Sequence, residues 1–218
     1  MSDQGEVRIE TIVSRPFDEN TFIIWRADRS DCLVVDPGFE PDLILELLER
    51  ERLTPAAVLN THGHADHIGG NSTMKERWPD VPLIIGAGDA SKLSDSMANL
   101  SAPFGFAIFS PPADRLVKEG DQVEAAGFDL LVREIPGHSS GHVVFICHGV
   151  DPVIVLGGDV LFSGSIGRTD FPDGDQALLL SGIRAKLYDL PDSTIVLPGH
   201  GEPTTVGREK TTNPFVRA

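Results

Sequence analysis

The stretch Thr61-His62-Gly63-His64-Ala65-Asp66-His67 decides how the rest of the chain is interpreted. It places three imidazoles and one carboxylate within six positions, after an apolar run that predicts a strand over residues 56–60. Imidazole and carboxylate groups are the ligands of borderline metals such as zinc. Such a cluster arises by chance in about one chain in a few thousand, so an exposed polar turn is a poor explanation. The stretch therefore predicts a metal site in a loop between a strand and a helix.

The spacing within this stretch indicates two metal ions. Asp66 and His67 are expected to point away from His62 and His64, so each pair needs further ligands from elsewhere in the chain. Suitable side chains follow three other apolar runs, each next to a glycine that permits close approach of the backbone. These further candidates are His138 after Ile135-Pro136-Gly137, Asp159 after Leu156-Gly157-Gly158, and His200 after Val196-Leu197-Pro198-Gly199.

Both halves of the chain combine strands with helices. The first half predicts strands over residues 7–13, 21–25, 32–35, 56–60 and 82–85, and helices over residues 41–52 and 69–78. The second half predicts strands over residues 116–117, 122–125, 128–134, 143–147, 153–156 and 194–197, a helix over residues 176–188, and a short C-terminal helix. No linker divides the halves, so we expect one α/β domain over residues 1–218, with two packed sheets and outer helices.

The segment over residues 94–112 has no clear periodicity. It carries Phe104, Phe106 and Phe109 among Ser, Pro and Gly. A hydrophobic loop packed on the core and a lid or substrate wall explain this composition equally well.

Composition excludes several classes of partner. The chain has 33 acidic and 18 basic residues, a net charge of −15, and no basic stripe, which disfavours nucleic acids and anionic membranes. From the sequence we expect neither a secretory signal nor an apolar stretch long enough to span a membrane. Cys32 and Cys147 lie in apolar runs, as buried reduced thiols do. We therefore expect a cytoplasmic protein that acts on a small molecule.

As a set, these motifs resemble the metallo-β-lactamase superfamily, over about residues 11–213. The motifs are residues 62–67, Gly137-His138-Ser139-Ser140-Gly141-His142, Gly158-Asp159 and Pro198-Gly199-His200-Gly201. The resemblance implies an αββα sandwich of two mixed sheets with a dinuclear site at one edge. It implies that one ion binds His62, His64 and His138, that the other binds Asp66, His67 and His200, and that Asp159 bridges them. Asp36 and His142 are candidates for orienting these ligands, although ordinary turn residues would look the same.

Further motifs resemble the glyoxalase II group, in its compact bacterial form. They are Gly158-Asp159-Val160-Leu161-Phe162, Gly167-Arg168-Thr169-Asp170-Phe171 and Thr211-Thr212-Asn213-Pro214-Phe215. The resemblance implies a thioester hydrolase that uses a metal-bridged hydroxide, with Asp66 and Asp159 as catalytic carboxylates and Arg168 as a substrate contact. Asp159 argues against a true β-lactamase, and His64 against a flavodiiron oxygen reductase.

Two departures from that group favour thioester hydrolysis over glutathione recognition. The C-terminal helical extension of the larger glyoxalase II enzymes is not expected here. Arg168 occupies the place where that family has a basic glutathione contact. Two residues later, where that family has a tyrosine, this chain has Asp170.

Two alternatives stay open. Persulfide dioxygenases share a Gly-Arg-Thr-Asp-Phe stretch and hold one Fe(II), for which His62, His138 and Asp159 could form the facial triad. A metal-bearing protein without turnover, or a nuclease, is the third possibility. For the hydrolase we expect two divalent ions, zinc foremost, with iron or manganese as alternatives; the acyl group, thiol carrier and oligomeric state stay open.

Overall fold

Two six-stranded sheets, packed face to face, form the centre of the molecule in a computed structural model that describes residues 5–217. In the first sheet, neighbouring strands are antiparallel from the first strand to the third and parallel from the third strand to the sixth. In their order across the sheet these strands are β1 (Val7–Ser14), β2 (Glu19–Arg26), β3 (Asp31–Val35), β4 (Thr54–Asn60), β5 (Leu83–Gly86) and β6 (Arg115–Val117).

The second sheet is also mixed. Its strands are β7 (Gln122–Ala125), β8 (Phe128–Glu134), β9 (Val143–His148), β10 (Ile154–Gly158), β13 (Ile195–Pro198) and β14 (Thr204–Thr205). The order across the sheet is β14-β13-β10-β9-β8-β7, and the pairing of β10 with β13 is parallel. The chain between those two strands includes a small hairpin of β11 (Leu161–Phe162) and β12 (Ser165–Ile166).

Helices cover the outer face of each sheet. α1 (Pro41–Glu51), α2 (Ala65–Ile68) and α3 (Asn71–Arg77) pack on the first sheet; α4 (Gln176–Gly182) and α5 (Val206–Thr212) pack on the second. Two 3-10 helices, Ala87–Ser94 and Ala102–Phe104, lie between β5 and β6. The layers are therefore helix, sheet, sheet, helix, which confirms the predicted αββα architecture.

Alternating side chains explain why the strands have two apolar faces. In β2, Phe22 and Ile24 point between the sheets, whereas Ile23 joins the core beneath the first-sheet helices. In β9, Phe145 points between the sheets and Ile146 packs beneath the second-sheet helices. A strand that is covered on both faces must be apolar at every position, so these strands read as continuous hydrophobic runs.

The structure corrects several predicted element boundaries. The helix expected over residues 69–78 spans Asn71–Arg77, and a separate short helix that was not expected, Ala65–Ile68, begins inside the histidine-rich motif. The helix expected over residues 176–188 changes to π-helical geometry over Ile183–Leu187. The short strands β11, β12 and β14 were not predicted, because two-residue strands carry no periodicity.

The structure also describes the two cysteines and the lengths of the helices. Cys32 and Cys147 are buried free thiols. None of the helices within residues 5–217 combines the length and apolarity that crossing a membrane requires.

Candidate metal centre

The predicted ligands meet at one edge of the sandwich, where both sheets contribute loops. His62 and His64 follow β4, whereas His138, Asp159 and His200 follow β8, β10 and β13. Three groups of residues have ligand atoms that all lie within 4.8 Å of one another. One is Asp36 with His62 and His67, and the other two consist only of predicted metal ligands. They are His62 with His64 and His138, and Asp66 with His67 and His200. Ligands distant in sequence are therefore adjacent because the strand ends converge at this edge.

Asp159 contacts members of both groups. Its Oδ2 lies 3.4 Å from His138 Nε2 and 3.5 Å from His200 Nε2. Its Oδ1 lies 3.5 Å from His67 Nε2. The carboxylate thus stands between the two sets of imidazoles.

The two halves of the histidine-rich motif do not diverge, contrary to the expectation from sequence. The rings of His62 and His67 have centroids 4.1 Å apart. The short helix α2 turns the chain back after His64, so Asp66 and His67 return to the edge that holds His62. The motif supplies adjacent candidate ligands to two neighbouring groups.

Protein contacts fix one nitrogen of most of these imidazoles. Nδ1 of His67 faces Asp36 Oδ2 at 3.1 Å, and Nδ1 of His138 faces the Arg168 carbonyl at 2.8 Å. Nδ1 of His200 faces the Phe17 carbonyl at 3.1 Å. With Nδ1 protonated by such a contact, Nε2 keeps a free lone pair. His64 differs, since its Nδ1 lies 2.9 Å from His138 Nε2.

The donor set fits metal ions. Nε2 of His62, Nε2 of His67 and Oδ1 of Asp159 are buried and have no hydrogen-bond partner among the described residues. Buried polar atoms without partners are costly, and these three belong to the two groups or to the carboxylate between them. Divalent cations held by the two groups would satisfy all three.

Burial and neighbouring charged groups give these imidazoles different pKa values. Burial, reinforced by neighbouring imidazoles, holds the pKa of His62 and His64 well below the usual value. Burial also lowers the pKa of His67, but Asp66 and Asp159 outweigh it and the net pKa is raised. The same balance, with Asp66 foremost among the carboxylates, raises the pKa of His200. Neutral imidazole is the form that binds metals, and burial favours that form in His62 and His64, whereas the carboxylates beside His67 and His200 favour the protonated form.

Asp36 and His142 both contact candidate ligands, His67 and His62 respectively. Asp36 accepts hydrogen bonds from the backbone N–H and the hydroxyl of Thr61, each at 2.7 Å, in addition to its contact with His67. His142 Nε2 accepts the backbone N–H of Asp159 at 3.0 Å, and its ring stacks on that of His62. Each therefore fixes the position of residues in or beside the two groups.

Asp89 is a buried carboxylate that the sequence analysis missed. It accepts the backbone N–H of Gly63 at 2.8 Å and that of Gly141 at 2.7 Å, and it also binds the Ser139 hydroxyl. It therefore joins the loop of His62 to the loop of His138. Asp89 follows β5 in the context Gly86-Ala87-Gly88, so the pattern of a polar residue at a glycine-flanked strand end could have identified it.

A second missed contact holds the loop of His200. The Asn20 backbone N–H donates to the Gly199 carbonyl at 2.7 Å, and the Asn20 side chain donates to the carbonyls of Pro198 and Gly201. Glu19 beside it is buried, which raises the pKa of its carboxyl well above the usual value. The start of β2 thus attaches the first sheet to the end of β13.

An open cavity of about 190 Å³ leads to the two groups. Aromatic side chains form much of its wall, together with Arg168 and candidate ligands. Arg168 makes a bidentate pair with Asp170 at 2.7 and 2.8 Å and lies over the Phe171 ring. The segment over residues 94–112 contributes Phe104 and Phe106 to the wall, which favours the substrate-wall interpretation of that segment.

Comparison with known proteins places the fold and the site in context. The sequence profile described as the metallo-beta-lactamase superfamily matches residues 14–200. The probable metallo-hydrolase YqgX of Bacillus subtilis is 38% identical, over 92% of this chain and 93% of that protein. The hydroxyacylglutathione hydrolase GloC of Haemophilus influenzae is 36% identical, over 97% of this chain and 99% of that protein.

Solved structures are similar over nearly the whole chain. The crystal structure of BLEG-1 B3 metallo-beta-lactamase is 35% identical with a TM-score of 0.91, and covers 97% of this chain and 100% of its own. That of TTHA1623 in a di-iron-bound form is 36% identical with a TM-score of 0.79, and covers 95% of this chain and 100% of its own.

Proposed function

Because the chain belongs to the metallo-beta-lactamase superfamily, we propose that it is a dinuclear metallohydrolase that cleaves thioesters of the hydroxyacylglutathione type. One observation carries the proposal: Asp159 stands between the two candidate ligand groups, with His138 on one side and His67 and His200 on the other. The relative described as a hydroxyacylglutathione hydrolase supports the choice of substrate.

In this proposal each group holds one ion. His62, His64 and His138 hold the first, Asp66, His67 and His200 hold the second, and Asp159 serves both. When bound, two divalent cations supply a Lewis acid for the thioester carbonyl and lower the pKa of a bound water towards about 7. Zinc is the metal that we propose, although nitrogen and oxygen ligands also accept iron and manganese, and a similar structure is di-iron-bound.

The protein's own groups orient the reaction. Asp36 keeps the proton of His67 on Nδ1, so that Nε2 is free. Asp66 and Asp159 are the catalytic carboxylates, because both lie at the site and can accept a hydrogen bond from the attacking water. A thiol has a pKa of only about 8.5, so the thiolate leaves without a strong general acid. This agrees with the cavity wall, in which no described residue is a lysine or a tyrosine.

Arg168 is the proposed substrate contact. It lines the cavity and lies over Phe171, where its guanidinium can meet a carboxylate of the thiol carrier. To do so, Arg168 must release Asp170 and pair with the substrate carboxylate instead. Both side chains are exposed, so that pair contributes little free energy and can open.

We further propose that the chain acts as a single domain in the cytoplasm. Both sheets supply ligands, so neither half completes the site alone. The buried free thiols Cys32 and Cys147 are typical of proteins in a reducing compartment.

Two other activities have a specific observation behind them. His62, His138 and Asp159 could hold the single Fe(II) of a persulfide dioxygenase, and Asp159 does lie 3.4 Å from His138. The likeness to BLEG-1 makes β-lactams worth assaying, although Asp159 argues against them on sequence grounds. Oxygen uptake with glutathione persulfide and hydrolysis of a chromogenic cephalosporin are the respective assays.

Hydrolysis of S-lactoylglutathione by metal-loaded protein tests the proposal. We expect turnover that is abolished by a chelator, restored by added zinc, and lowered at least about 100-fold by Asp159→Asn. His148→Ala is the matched control, since this exposed histidine lies at the far end of β9, and should keep wild-type activity. Absence of hydrolysis of any thioester by metal-loaded protein would refute the proposal.

A further inference from the structure

Four phenylalanines cluster at the mouth of the cavity, and we call them the aromatic collar: Phe17, Phe104 and Phe106 line the cavity, and Phe39 packs against Phe17 and Phe106. They come from three separate segments: the turn between β1 and β2, the loop after β3, and the segment over residues 94–112. Phe17 lies 5.4 Å from Phe104 between ring centroids, and Phe39 lies 5.9 Å from Phe106. Convergence of aromatic rings from distant segments is the arrangement of a binding wall.

The collar is open to solvent although it is apolar. Phe104 is 57% exposed and Phe106 is 37% exposed. Clustered exposed aromatic side chains beside a cavity mark a surface that gains free energy when a ligand covers it. Phe171 continues the apolar wall inwards, with its ring 5.2 Å from His64 and 5.7 Å from His138.

Polar recognition groups are scarce in this wall. The side chain of Asn99 is used within its own loop, where it donates to the carbonyls of Lys92 and Ile108 and accepts from Ser101. The charge of Arg168 is balanced by Asp170. Apart from the candidate ligands and Arg168, which the proposed function assigns to a carboxylate of the carrier, the described wall residues offer no charge and no free amide to recognise a polar substituent.

The cavity is also small. Sites that enclose a whole drug-sized ligand occupy roughly 300–1,000 Å³. A cavity of about 190 Å³ suits only one side of a thioester. A carrier as large as glutathione is too large to be enclosed there, whereas an acyl substituent is small enough.

From this geometry we propose that the aromatic collar makes the enzyme selective for thioesters with a bulky apolar acyl substituent, an aromatic one above all. The inference rests on the proposed thioester hydrolysis and adds the substrate class. When a phenyl substituent contacts Phe104 and Phe106, the apolar surface of the substituent and that of the two rings are both removed from water.

Two substrates that differ only in that substituent test the inference. S-mandeloylglutathione carries a phenyl group where S-lactoylglutathione carries a methyl group, and both keep the 2-hydroxyl, the thioester and the carrier. We expect kcat/KM to be at least about tenfold higher for the mandeloyl substrate. Phe104→Ala and Phe106→Ala should each reduce this preference several-fold.

Phe109→Ala is the matched control. Phe109 belongs to the same segment and is 59% exposed, but it is not part of the cavity wall, so the preference should persist in this variant. Binding of S-benzylglutathione and S-methylglutathione, measured by calorimetry, gives a second readout that needs no turnover. The benzyl compound should bind more tightly, and Phe104→Ala should remove the difference.

The outcomes separate this inference from the proposed function. Turnover of both substrates with equal efficiency, or a preference for lactoyl, overturns the collar's role and leaves thioester hydrolysis standing. A mandeloyl preference that survives Phe104→Ala and Phe106→Ala also overturns it. Absence of turnover for every thioester refutes the proposed function and, with it, the substrate class.

Discussion

At the scale of single residues, one carboxylate controls the orientation of a candidate ligand. Asp36 Oδ2 faces both the Thr61 hydroxyl and His67 Nδ1. Carboxylates in this position typically contribute 10- to 100-fold to metal affinity, because they fix the ring and its tautomer.

We therefore expect Asp36→Asn to weaken metal binding by about 10- to 100-fold, since an amide can present its NH₂ group to His67. Competition with a chromogenic chelator measures this directly. His148→Ala should bind metal as the wild type does. Unchanged affinity in Asp36→Asn would show that the backbone alone orients His67.

Asp89 offers a second prediction at this scale. It is fully buried, it lies 3.4 Å from Lys92, and it accepts from the loops of both His62 and His138. Removing one partner of a buried ion pair costs about 3–5 kcal/mol. Asp89→Asn keeps the shape but loses the charge, so we expect a loss of about 2–3 kcal/mol in the free energy of unfolding and weaker metal binding. Denaturant titration of metal-free protein measures the first effect.

A surface carboxylate provides the comparison for Asp89. Asp170 is exposed and pairs only with Arg168 among the described residues, so Asp170→Asn should change stability by less than about 1 kcal/mol. Equal effects of the two substitutions would contradict the bridging role assigned to Asp89.

At the scale of elements, close packing of two loops sets the position of His138. A Cβ added at Gly141 would lie 2.2 Å from the Asp89 backbone nitrogen and 2.3 Å from the Gly88 carbonyl carbon. Backbone atoms cannot move aside as a flexible side chain can. The 3-10 helix Ala87–Ser94 and the loop after β8 therefore fit together only with glycine at residue 141.

We expect Gly141→Ala to displace the loop of His138 and to reduce the number of metal ions bound per chain. Gly120→Ala is the control, because it also strains a turn, at a φ of +82°, but meets nothing within 4 Å. It should cost about 1–2 kcal/mol in stability and leave metal content unchanged. Normal metal content in Gly141→Ala would contradict this packing argument.

At the scale of the whole molecule, the reactivity of the two buried thiols indicates whether the helix and sheet layers remain packed. Cys147 lies between the sheets, and Cys32 lies beneath the first-sheet helices. Burial raises the pKa of each thiol to about 12. The folded state therefore favours the protonated thiols, and their stabilising effect is complete below the unfolded thiol pKa of about 8.5 and is lost as the pH rises towards 12.

We expect native protein to react with Ellman's reagent at pH 8 far more slowly than unfolded protein, in which both thiols should react. The melting temperature should fall as the pH rises above about 9, and it should fall less steeply in Cys32→Ala/Cys147→Ala. Rapid labelling of either thiol without unfolding would mean that the corresponding layer opens locally.

Sequence alone predicted the layers and the candidate ligands for a shared reason. Apolar runs show which strands are covered on both faces, and polar side chains after glycine at strand ends, such as His138 and His200, are exceptional enough to be noticed. The roles of Asp89 and Asn20 depend on which loops become neighbours across the sandwich. The collar likewise depends on three segments converging, which local periodicity does not encode.

The central claim is that both ligand groups hold metal in the active enzyme. Elemental analysis of the isolated protein, expressed as metal ions per chain and compared with thioesterase activity, tests it most directly. We predict two ions per chain in the wild type and in His148→Ala, and one in His200→Ala, with activity lost alongside the second ion. Full thioesterase activity with a single ion per chain would contradict the claim.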